Sequence, residues 1–561
     1  MTAETSYRGG DLLVASLLAQ RVDRVFCVPG ESYLAALDAL YDARAAIDLV
    51  VCRHEGGAAT MAEAYGKLTQ RPGVCFVTRG PGATNASIGI HTAFQDSTPL
   101  VMFVGQVARA HKDREGFQEV DLPAMFAPLA KWAAEISDPA RIPEYVHRAF
   151  QTAMAGRPGP VVLALPEDVL NAAVAAGIDP GRYAEPVSGA PAPAQLDRLA
   201  ELIEGAERPL LIVGGGGWSQ AIGDQIAGFA ERFGLPVVAS LRCQDYVSNH
   251  HPNYVGHLTI GAEAKLAARV GKADLLVVLG ARLGEMTTAG YTIVDPARRE
   301  QRLVHIHPDP EELGRVYQAD LPINAGSAAM AAGLAGLHPR TPPVRAAAWL
   351  AEARAEYEAT LQAPPTDAGV DLARIMLQLH QRLPADTIVA SGAGNYTGWV
   401  HRFWQFSAFR TQLAPTSGAM GYSVPAAIAA ALGEPGRTVL CFAGDGCFLM
   451  NGQELATAAQ YGVRVLFIVV NNGMLGTIRM HQEREFPTRV YGTDLVNPDF
   501  PALARAYGLA AERVVRTEDF EAALTRALAA QGSALIELVT EQEPITHRTT
   551  ISAIRSRAMS R

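Results

Sequence analysis

The stretch that most constrains the fold lies at residues 437–472, where two apolar runs flank a Gly-Asp-Gly turn and a helical pattern. Residues 437–443 (RTVLCFA) are short, rich in β-branched and aromatic side chains and end at glycine, which predicts a buried strand. Residues 463–470 (VRVLFIVV) predict a second strand. A strand, a helix and another strand in this order indicate an α/β domain with a parallel sheet.

The segment between these strands has the pattern of a helix. In residues 451–462 (NGQELATAAQYG), Asn451 is a candidate N-cap, Glu454 occupies the third helical position and Gly462 is a stop signal.

Two oxygen-bearing side chains follow the two predicted strands. Asp445 lies in the glycine turn, and Asn472 follows 27 positions later. Open α/β sheets bind ligands at the carboxyl ends of their strands. Mg²⁺ prefers oxygen ligands that it shares with phosphates, so the arrangement predicts a metal site that holds a diphosphate. An ordinary β-turn followed by an Asn cap is the alternative for these residues.

Residues 444–476 (GDGCFLMNGQELATAAQYGVRVLFIVVNNGMLG) resemble the cofactor motif of the thiamine diphosphate-dependent enzymes, especially the acetolactate synthase branch. The resemblance implies thiamine diphosphate as the cofactor and Mg²⁺ bound by Asp445, Asn472 and the main-chain carbonyl of Met474. The neighbouring positions expected to contact the cofactor are Gly444, Gly446, Cys447, Leu475 and Gly476.

A second matching segment, residues 47–66 (IDLVVCRHEGGAATMAEAYG), reads as a strand, then Glu55, then a helix of small residues. The resemblance implies that Glu55 is the catalytic acid, hydrogen-bonded to the aminopyrimidine ring so that the ring removes the C2 proton of the cofactor. A glutamate that satisfies free amides at a helix start is the alternative.

Residues 78–107 are similar to the glycine loop, helix and strand of the same domain, although the family usually has a small residue where Arg79 stands. Residues 115–132 (EGFQEVDLPAMFAPLAKW) match an acetolactate synthase pattern. That match implies Phe117 beside the substrate and Gln118 donating a hydrogen bond to a bound oxo group. A core Phe117 and a surface Gln118 are the alternative.

Two further segments match the cofactor site. In residues 416–433 the resemblance implies Met420 as the apolar wedge beneath the cofactor and the Gly418 carbonyl as an acceptor for its amino group. In residues 391–399 it implies a diphosphate loop with Gly394, Asn395 and Tyr396, where the acetolactate branch commonly has Gln-His in place of Asn395-Tyr396.

The acceptor pocket is where the chain departs from its branch. Nine positions after the metal Asn, acetolactate synthases carry a Trp, and this chain has His481. We expect His481 to donate a hydrogen bond to a hydroxyl of an intermediate or to tune protonation near neutral pH, with a solvated helix residue as the alternative.

Net charge, cysteine content and hydropathy argue against several classes of protein. A net charge of −9 gives no basic footprint for nucleic acid. Six cysteines without a CxxC motif predict a reduced, cytoplasmic setting without disulfides or zinc. The start of the chain lacks the apolar region of a signal peptide, and no run approaches 18 apolar residues, so export and membrane insertion are not expected.

Pro- and Ala-rich stretches at 184–195 and 362–369 divide the chain. We expect three doubly wound parallel-sheet α/β domains, a pyrimidine-binding domain at 1–182, a Rossmann-like central domain at 195–340 and a diphosphate- and Mg²⁺-binding domain at 366–561. The central GGGGWSQ segment fails the GxGxxG fingerprint, and ARLGEMTTAGYT replaces the Arg-rich FAD segment of acetolactate synthases. FAD in the central domain therefore stays open.

These observations predict an enzyme that decarboxylates a 2-oxo acid and joins the product to a carbonyl acceptor. One alternative is a flavin-free lyase resembling benzaldehyde lyase or 2-hydroxyacyl-CoA lyase, and another is a non-catalytic paralogue that serves as a partner subunit. The resemblance also implies a homodimer or homotetramer with active sites between subunits.

Overall fold

The computed structural model describes residues 7–175, 177–363, 366 and 369–560, so the chain ends and part of the second predicted linker lie outside the described residues. Within those residues the chain forms three six-stranded parallel sheets and one small antiparallel ribbon. The predicted fold class, α/β with three doubly wound parallel-sheet domains, is confirmed. The exact domain boundaries remain a prediction.

The chain divides into two compact units. The first comprises the residues up to Val187 together with Ile428–Gly433 and Asn451–Tyr461. Its sheet has the order β2-β1-β3-β4-β6-β5. The strands are β1 (Arg24–Cys27), β2 (Asp48–Val51), β3 (Gly73–Val77), β4 (Leu100–Gln106), β5 (Trp132–Glu135) and β6 (Pro160–Pro166). The helices around it are α1 (Gly9–Ala19), α2 (Leu34–Asp42), α3 (Glu55–Thr69), α4 (Gly80–Asp96), α5 (Leu122–Phe126), α6 (Ile142–Met154) and α7 (Glu167–Asn171).

The second unit holds the other two six-stranded sheets. The earlier one has the order β12-β11-β10-β7-β8-β9. Its strands are β7 (Pro209–Val213), β8 (Val237–Ala239), β9 (Tyr254–His257), β10 (Leu275–Leu279), β11 (Arg302–His307) and β12 (Leu321–Asn324). Its helices are α8 (Pro193–Glu204), α9 (Gln220–Phe233), α10 (Ala264–Lys272), α11 (Ser327–Ala335) and α12 (Val344–Thr360).

The last sheet has the order β14-β13-β15-β16-β18-β17, which repeats the strand order of the first sheet. Its strands are β13 (Ile388–Ser391), β14 (Gln412–Leu413), β15 (Val439–Gly444), β16 (Leu466–Asn471), β17 (Ala510–Val514) and β18 (Ala534–Val539), and the ribbon that follows is β19 (Pro544–Thr546) with β20 (Thr549–Thr550). The helices of this region are α13 (Leu372–Arg382), α14 (Thr397–Phe403), α15 (Ser423–Gly433), α16 (Asp445–Asn451), α17 (Leu455–Gln460), α18 (Gly476–Glu485), α19 (Phe500–Ala506), α20 (Phe520–Ala529) and α21 (Ile551–Met559).

The core of the last sheet explains why its central strands read as continuous apolar runs. All residues of β15 and all but the last of β16 are buried, as expected when helices cover both faces of a parallel sheet. The chain order reverses between β13 and β15, and such a switch point opens a crevice at the carboxyl edge of the sheet.

The predicted helix at 451–462 differs in the structure. Asn451 ends α16, Gly452–Glu454 form a 3₁₀ turn, and α17 begins only at Leu455. The predicted helix is therefore shorter than expected, and Glu454 ends the 3₁₀ turn, from which its carboxylate makes the contacts described below.

All six cysteines are buried and unpaired. Across the part of the chain that the structure describes, no helix is long and apolar enough to cross a membrane.

Candidate active site

Asp445 and Asn472 lie at the same edge of the last sheet. Asp445 is the first residue of α16, directly after β15, and Asn472 follows the last residue of β16. The two strands are parallel neighbours, with Gly444 opposite Val470, so both side chains emerge at the carboxyl edge. The structure brings together the two residues that the sequence predicted as metal ligands.

The Asp445 carboxylate is buried and held by N–H donors. Its Oδ1 accepts from the backbone N–H of Gly446 at 2.8 Å. Its Oδ2 accepts from the backbone N–H of Gly473 at 2.9 Å and from Asn497 Nδ2 at 2.8 Å. Burial raises the pKa of Asp445, and these hydrogen bonds oppose that shift only in part. Among the described residues, no Lys, Arg or His side chain forms an ion pair with this carboxylate.

Two neutral oxygens complete a candidate ligand set. The chain turns at Gly473, where φ is +66°, and Asn472 Oδ1 accepts from the backbone N–H of Met474 at 3.2 Å. The carbonyl of Met474 accepts from the backbone N–H of Gly476 at 2.9 Å. A carboxylate, an amide oxygen and a carbonyl are the hard donors that Mg²⁺ takes. The described residues contain no group of three or more His, Cys, Asp or Glu side chains that could hold a metal, so a metal at this edge would rely on this mixed set.

These residues line a cleft of about 510 Å³ in the second unit. Apart from Glu55, every residue that the sequence predicted to contact the cofactor or the metal lines it: Gly394, Asn395, Tyr396, Gly418, Met420, Gly444, Asp445, Gly446, Cys447, Asn472, Met474, Leu475 and Gly476. The diphosphate loop after β13, the wedge segment before α15 and the metal motif therefore meet in one place.

The Asn395-Tyr396 pair has distinct local roles. Asn395 accepts from Thr477 Oγ1 at 3.0 Å through its side chain, and its backbone N–H donates to the same oxygen at 3.2 Å. The Tyr396 ring is packed so closely on β15 that a Cβ at Gly444 would approach it to 2.7 Å. Tyr396 therefore shapes the base of the cleft, while Asn395 fixes the loop to the start of α18.

In the first unit, Glu55 is the first residue of α3 at the carboxyl edge of its sheet. Its Oε2 accepts from Asn85 Nδ2 at 2.9 Å. The backbone just before it is held by the fully buried Glu454, whose Oε1 accepts from the N–H groups of Arg53 and His54 at 3.0 Å each. Burial raises the pKa of Glu454. The sequence placed Glu454 at the third position of a helix, and in the structure its carboxylate binds the backbone segment that presents Glu55.

Phe117 and Gln118 lie in the same unit as Glu55. The start of α4 contacts both positions. The Asn85 side chain donates to Glu55, and the backbone N–H of Gly80 donates to the Gln118 carbonyl at 3.0 Å. Phe117 is 73% exposed in the single chain, and Gln118 has a left-handed backbone with φ of +65°. A core position for Phe117, the alternative left open by the sequence, does not fit this exposure.

His481 lies on α18 with its side chain exposed, and the residues of α18 that line the cleft are its first three, Gly476, Thr477 and Ile478. His547 does line the cleft, and sequence reasoning missed it because ITHRTT carries no motif. Burial lowers the pKa of His547, and its Nε2 accepts from Arg548 Nε at 2.9 Å.

The C-terminal helix α21 is fastened to α18 by a buried carboxylate. Glu483 is fully buried and accepts from Arg555 Nε at 2.8 Å and from Arg479 Nε at 3.1 Å. The Arg555 guanidinium holds the pKa of Glu483 at about 2. Since residues 544–550 line the cleft, this pairing fixes one of its walls.

Three family profiles match the chain in succession. Residues 7–125 match the N-terminal thiamine pyrophosphate-binding domain of thiamine pyrophosphate enzymes, residues 196–334 match the central domain, and residues 392–538 match the C-terminal thiamine pyrophosphate-binding domain. The chain therefore belongs to the thiamine pyrophosphate enzymes.

Curated relatives agree over nearly the full length. An acetolactate synthase large subunit from Parasynechococcus marenigrum is 33% identical over 96% of this chain and 88% of its own. One from Corynebacterium glutamicum is 33% identical over 92% and 84%, and isozyme 2 of Escherichia coli K12 is 30% identical over 94% and 95%. The resemblance to the acetolactate synthase branch is confirmed. The protein is an enzyme that uses thiamine diphosphate for decarboxylation and carboligation of small 2-oxo acid substrates.

The pairing of Glu483 predicts a pH-dependent stability. A carboxyl whose pKa is depressed in the folded state stabilises the protein fully above its unfolded value of about 4.3, and the contribution is lost as the pH falls toward about 2. Glu483→Gln should therefore lower the melting temperature at pH 7 by about 3 °C or more. The gap to the wild type should narrow below about pH 4.

Thermal melts of both proteins from pH 7 to pH 3 check this expectation. Glu485→Gln, which removes an exposed carboxylate from the end of the same helix, is the matched control and should change little. A gap for Glu483→Gln that stayed constant across this range would show that the ion pair does not carry the effect.

Proposed function

We propose that Asp445, Asn472 and the carbonyl of Met474 bind Mg²⁺, and that the ion holds the diphosphate of thiamine diphosphate in the cleft. The observation that carries this proposal is a buried carboxylate after β15 that has no cationic side-chain partner among the described residues. It lies beside two neutral oxygens that both follow the adjacent strand β16. A buried charge of this kind requires compensation, which a bound divalent cation supplies.

The remaining cleft residues would hold and orient the cofactor. Gly394, Asn395 and Tyr396 would border the diphosphate, Met420 would support the bend between the rings, and Gly418 would accept through its carbonyl. Once bound, thiamine diphosphate supplies the electron sink that lets a 2-oxo acid lose CO₂ and its remainder join a second carbonyl compound. The protein supplies the pose and controls protons at named atoms.

Glu55 is proposed to be the acid that hydrogen-bonds to the aminopyrimidine ring. Its support is its place at a carboxyl sheet edge, with one oxygen bound by Asn85 and the preceding backbone fixed by Glu454. We further propose a homodimer or homotetramer in which Glu55 of one chain faces the metal site of another. The exposed Phe117 is consistent with a face that a second copy covers.

The substrates are proposed to be a 2-oxo acid donor and a carbonyl acceptor. Gln118 would donate to the oxo group, and Phe117 would form an apolar wall beside it. His481 is proposed to contribute near the acceptor. The His481 side chain is exposed in the single chain, as is that of Phe117.

The glycine turn after β7, at Gly214 and Gly215, bears on whether the central domain binds FAD. A Cβ at Gly215 would collide with the carbonyl of Gly280, so backbone packing alone requires glycine there. The carbonyls of Gly214 and Gly215 already accept from Trp218 Nε1 at 2.8 Å and Tyr246 OH at 2.5 Å. No feature of this turn calls for a dinucleotide, and we propose a flavin-free central domain.

We retain two further proposals from the sequence. The domain limits of 1–182, 195–340 and 366–561 are supported by the three family matches, each of which begins and ends inside one of them. A cytoplasmic setting is supported by six unpaired, buried cysteines.

Asp445→Asn should abolish Mg²⁺-dependent binding of thiamine diphosphate, because an amide neither carries the charge nor matches the carboxylate as a metal ligand. Asp371→Asn is a matched control: Asp371 also lines the cleft, but it caps α13 by accepting from the N–H groups of Ala373 and Arg374, a role that Asn performs. Calorimetric titration with and without Mg²⁺ measures both. Unaltered cofactor affinity in Asp445→Asn would refute the metal site.

Glu55→Gln should retain cofactor binding while slowing exchange of the cofactor C2 proton by about 100-fold or more. Proton exchange of the bound cofactor in D₂O, followed by NMR after acid quench, measures the effect. Glu31→Gln, which neutralises an exposed carboxylate of the same unit, should exchange at the wild-type rate. Wild-type exchange in Glu55→Gln would remove the catalytic assignment.

The reaction itself is tested by product analysis with thiamine diphosphate, Mg²⁺ and pyruvate, with and without benzaldehyde, while the absorption spectrum of the protein is recorded. We expect CO₂ release with a carboligation product and no flavin bands. Cleavage of added benzoin without CO₂ release from pyruvate would instead identify a lyase, and flavin bands would overturn the flavin-free central domain.

A further inference from the structure

The loop at residues 116–120 carries Phe117 and Gln118, and several of its backbone carbonyls accept hydrogen bonds from residues at the ends of neighbouring strands. Arg79 Nη1 donates to the Phe117 carbonyl at 3.4 Å, and the backbone N–H of Gly80 donates to the Gln118 carbonyl at 3.0 Å. Gln106 Nε2 donates to the Val120 carbonyl at 2.8 Å. Three of the carbonyls of this loop are thus tied to the ends of β3 and β4.

The conformation that these contacts hold is an unfavourable one. Gln118 has φ of +65°, in the left-handed region, which is sterically unfavourable for a residue with a Cβ atom. Such a residue persists only where its surroundings impose the conformation. The Oε1 atom of Gln118 is buried and has no hydrogen-bond partner in the described residues, so no contact of this oxygen helps to hold the backbone conformation.

Arg79 is the one charged group among these contacts. Its residue is 7% exposed, and its Nη2 donates to Glu167 Oε2 at 2.6 Å. Glu31 Oε1 lies 4.0 Å from Nη1. Two carboxylates therefore compensate the charge of the Arg79 guanidinium, which argues against a binding site for an anionic ligand. The remaining contact of the guanidinium is the hydrogen bond that it donates to the Phe117 carbonyl.

We propose that Arg79, anchored by Glu167, is a positioning residue that holds residues 116–120 in the conformation that presents Gln118 to the substrate. Glu167 begins α7 after β6, so the pair connects the loop to a rigid sheet edge. The guanidinium acts on the substrate through the loop and does not touch it. This inference rests on the proposed role of Gln118 as a substrate contact.

Arg79→Ala tests the proposal with two measurements. Backbone amide exchange of residues 113–120, followed by mass spectrometry, should become at least about tenfold faster. The KM for the 2-oxo acid should rise about tenfold, with kcat and C2 proton exchange of the bound cofactor little changed, because a contact that orients bound substrate is lost.

Arg157→Ala is the matched control. Arg157 is similarly buried at 9% exposure, but its Nε donates to Ser97 Oγ at 2.9 Å and its Nη2 to the Phe94 carbonyl at 2.5 Å, at the opposite end of α4. It should destabilise the fold without changing the exchange of residues 113–120 or the KM. Equal effects of Arg79→Ala and Arg157→Ala would show a merely structural role and overturn the proposal.

Two further variants separate charge from geometry. Arg79→Lys keeps the positive charge beside Glu167 but lacks the planar guanidinium. Its KM should therefore lie between those of Arg79→Ala and the wild type. Glu167→Ala should reproduce the effect of Arg79→Ala, and the double variant should be no worse than either single one. Full additivity would overturn the anchored arrangement.

The amide-exchange measurement needs no substrate, so it tests the positioning role of Arg79 independently of the proposed substrate. Unchanged exchange in Arg79→Ala overturns the positioning role. A wild-type enzyme that turned over no 2-oxo acid would instead refute the proposed substrate, while faster exchange in the variant would still support the hold of Arg79 on the loop.

Discussion

The carboxylate of Asp445 is buried at the end of β15, and the groups around it must compensate its charge and its lost hydration. The group has lost water, and burial raises its pKa despite three N–H donors. Those donors come from the start of α16, from the Gly473 turn and from Asn497, so the two strand ends and the loop after α18 are fixed relative to one oxygen pair. Asn472 and Met474, on either side of the same turn, both line the cleft. The arrangement of the proposed ligands therefore follows from the hydrogen bonds that satisfy a buried carboxylate.

A second buried carboxylate organises the first unit in the same way. Glu454 is fully buried and takes the backbone N–H groups of Arg53 and His54. Those groups precede α3 and would otherwise be unsatisfied at a helix start. Fixing them fixes the direction in which Glu55 leaves the sheet. Removing the acceptor would leave two N–H groups without a partner next to the proposed catalytic acid, so positioning and stability are coupled at this point.

Patterns that depend on local chain geometry were predictable. The apolar runs of β15 and β16 predicted adjacent buried strands, and the glycine turn with Asn472 predicted ligands at their carboxyl ends, because both follow from strand periodicity and chain order. The function of Glu454 was not predictable in this way. Its spacing from Asn451 matched a capping box, but a contact with residues about 400 positions earlier depends on tertiary packing that no local pattern contains. His547 escaped notice for the same reason, since only the packing of the last residues against α18 brings it to the cleft.

The distribution of departures from the branch pattern indicates where specificity resides. The proposed metal ligands and the glycine turns resemble the family pattern, and their proposed role is to serve the cofactor, whose chemistry is common to many substrates. Asn395-Tyr396, His481 and Arg79 depart from the branch, and Arg79 acts on the loop that presents Gln118. His547, in the C-terminal wall that Glu483 and Arg555 fasten, adds a titratable group to the cleft. A change of substrate on this fold therefore requires no change in the metal site. We propose that it requires changes at residues that contact the donor and the acceptor, because binding there discriminates among substrates, whereas the proposed Mg²⁺ ligands would serve the cofactor that all substrates share.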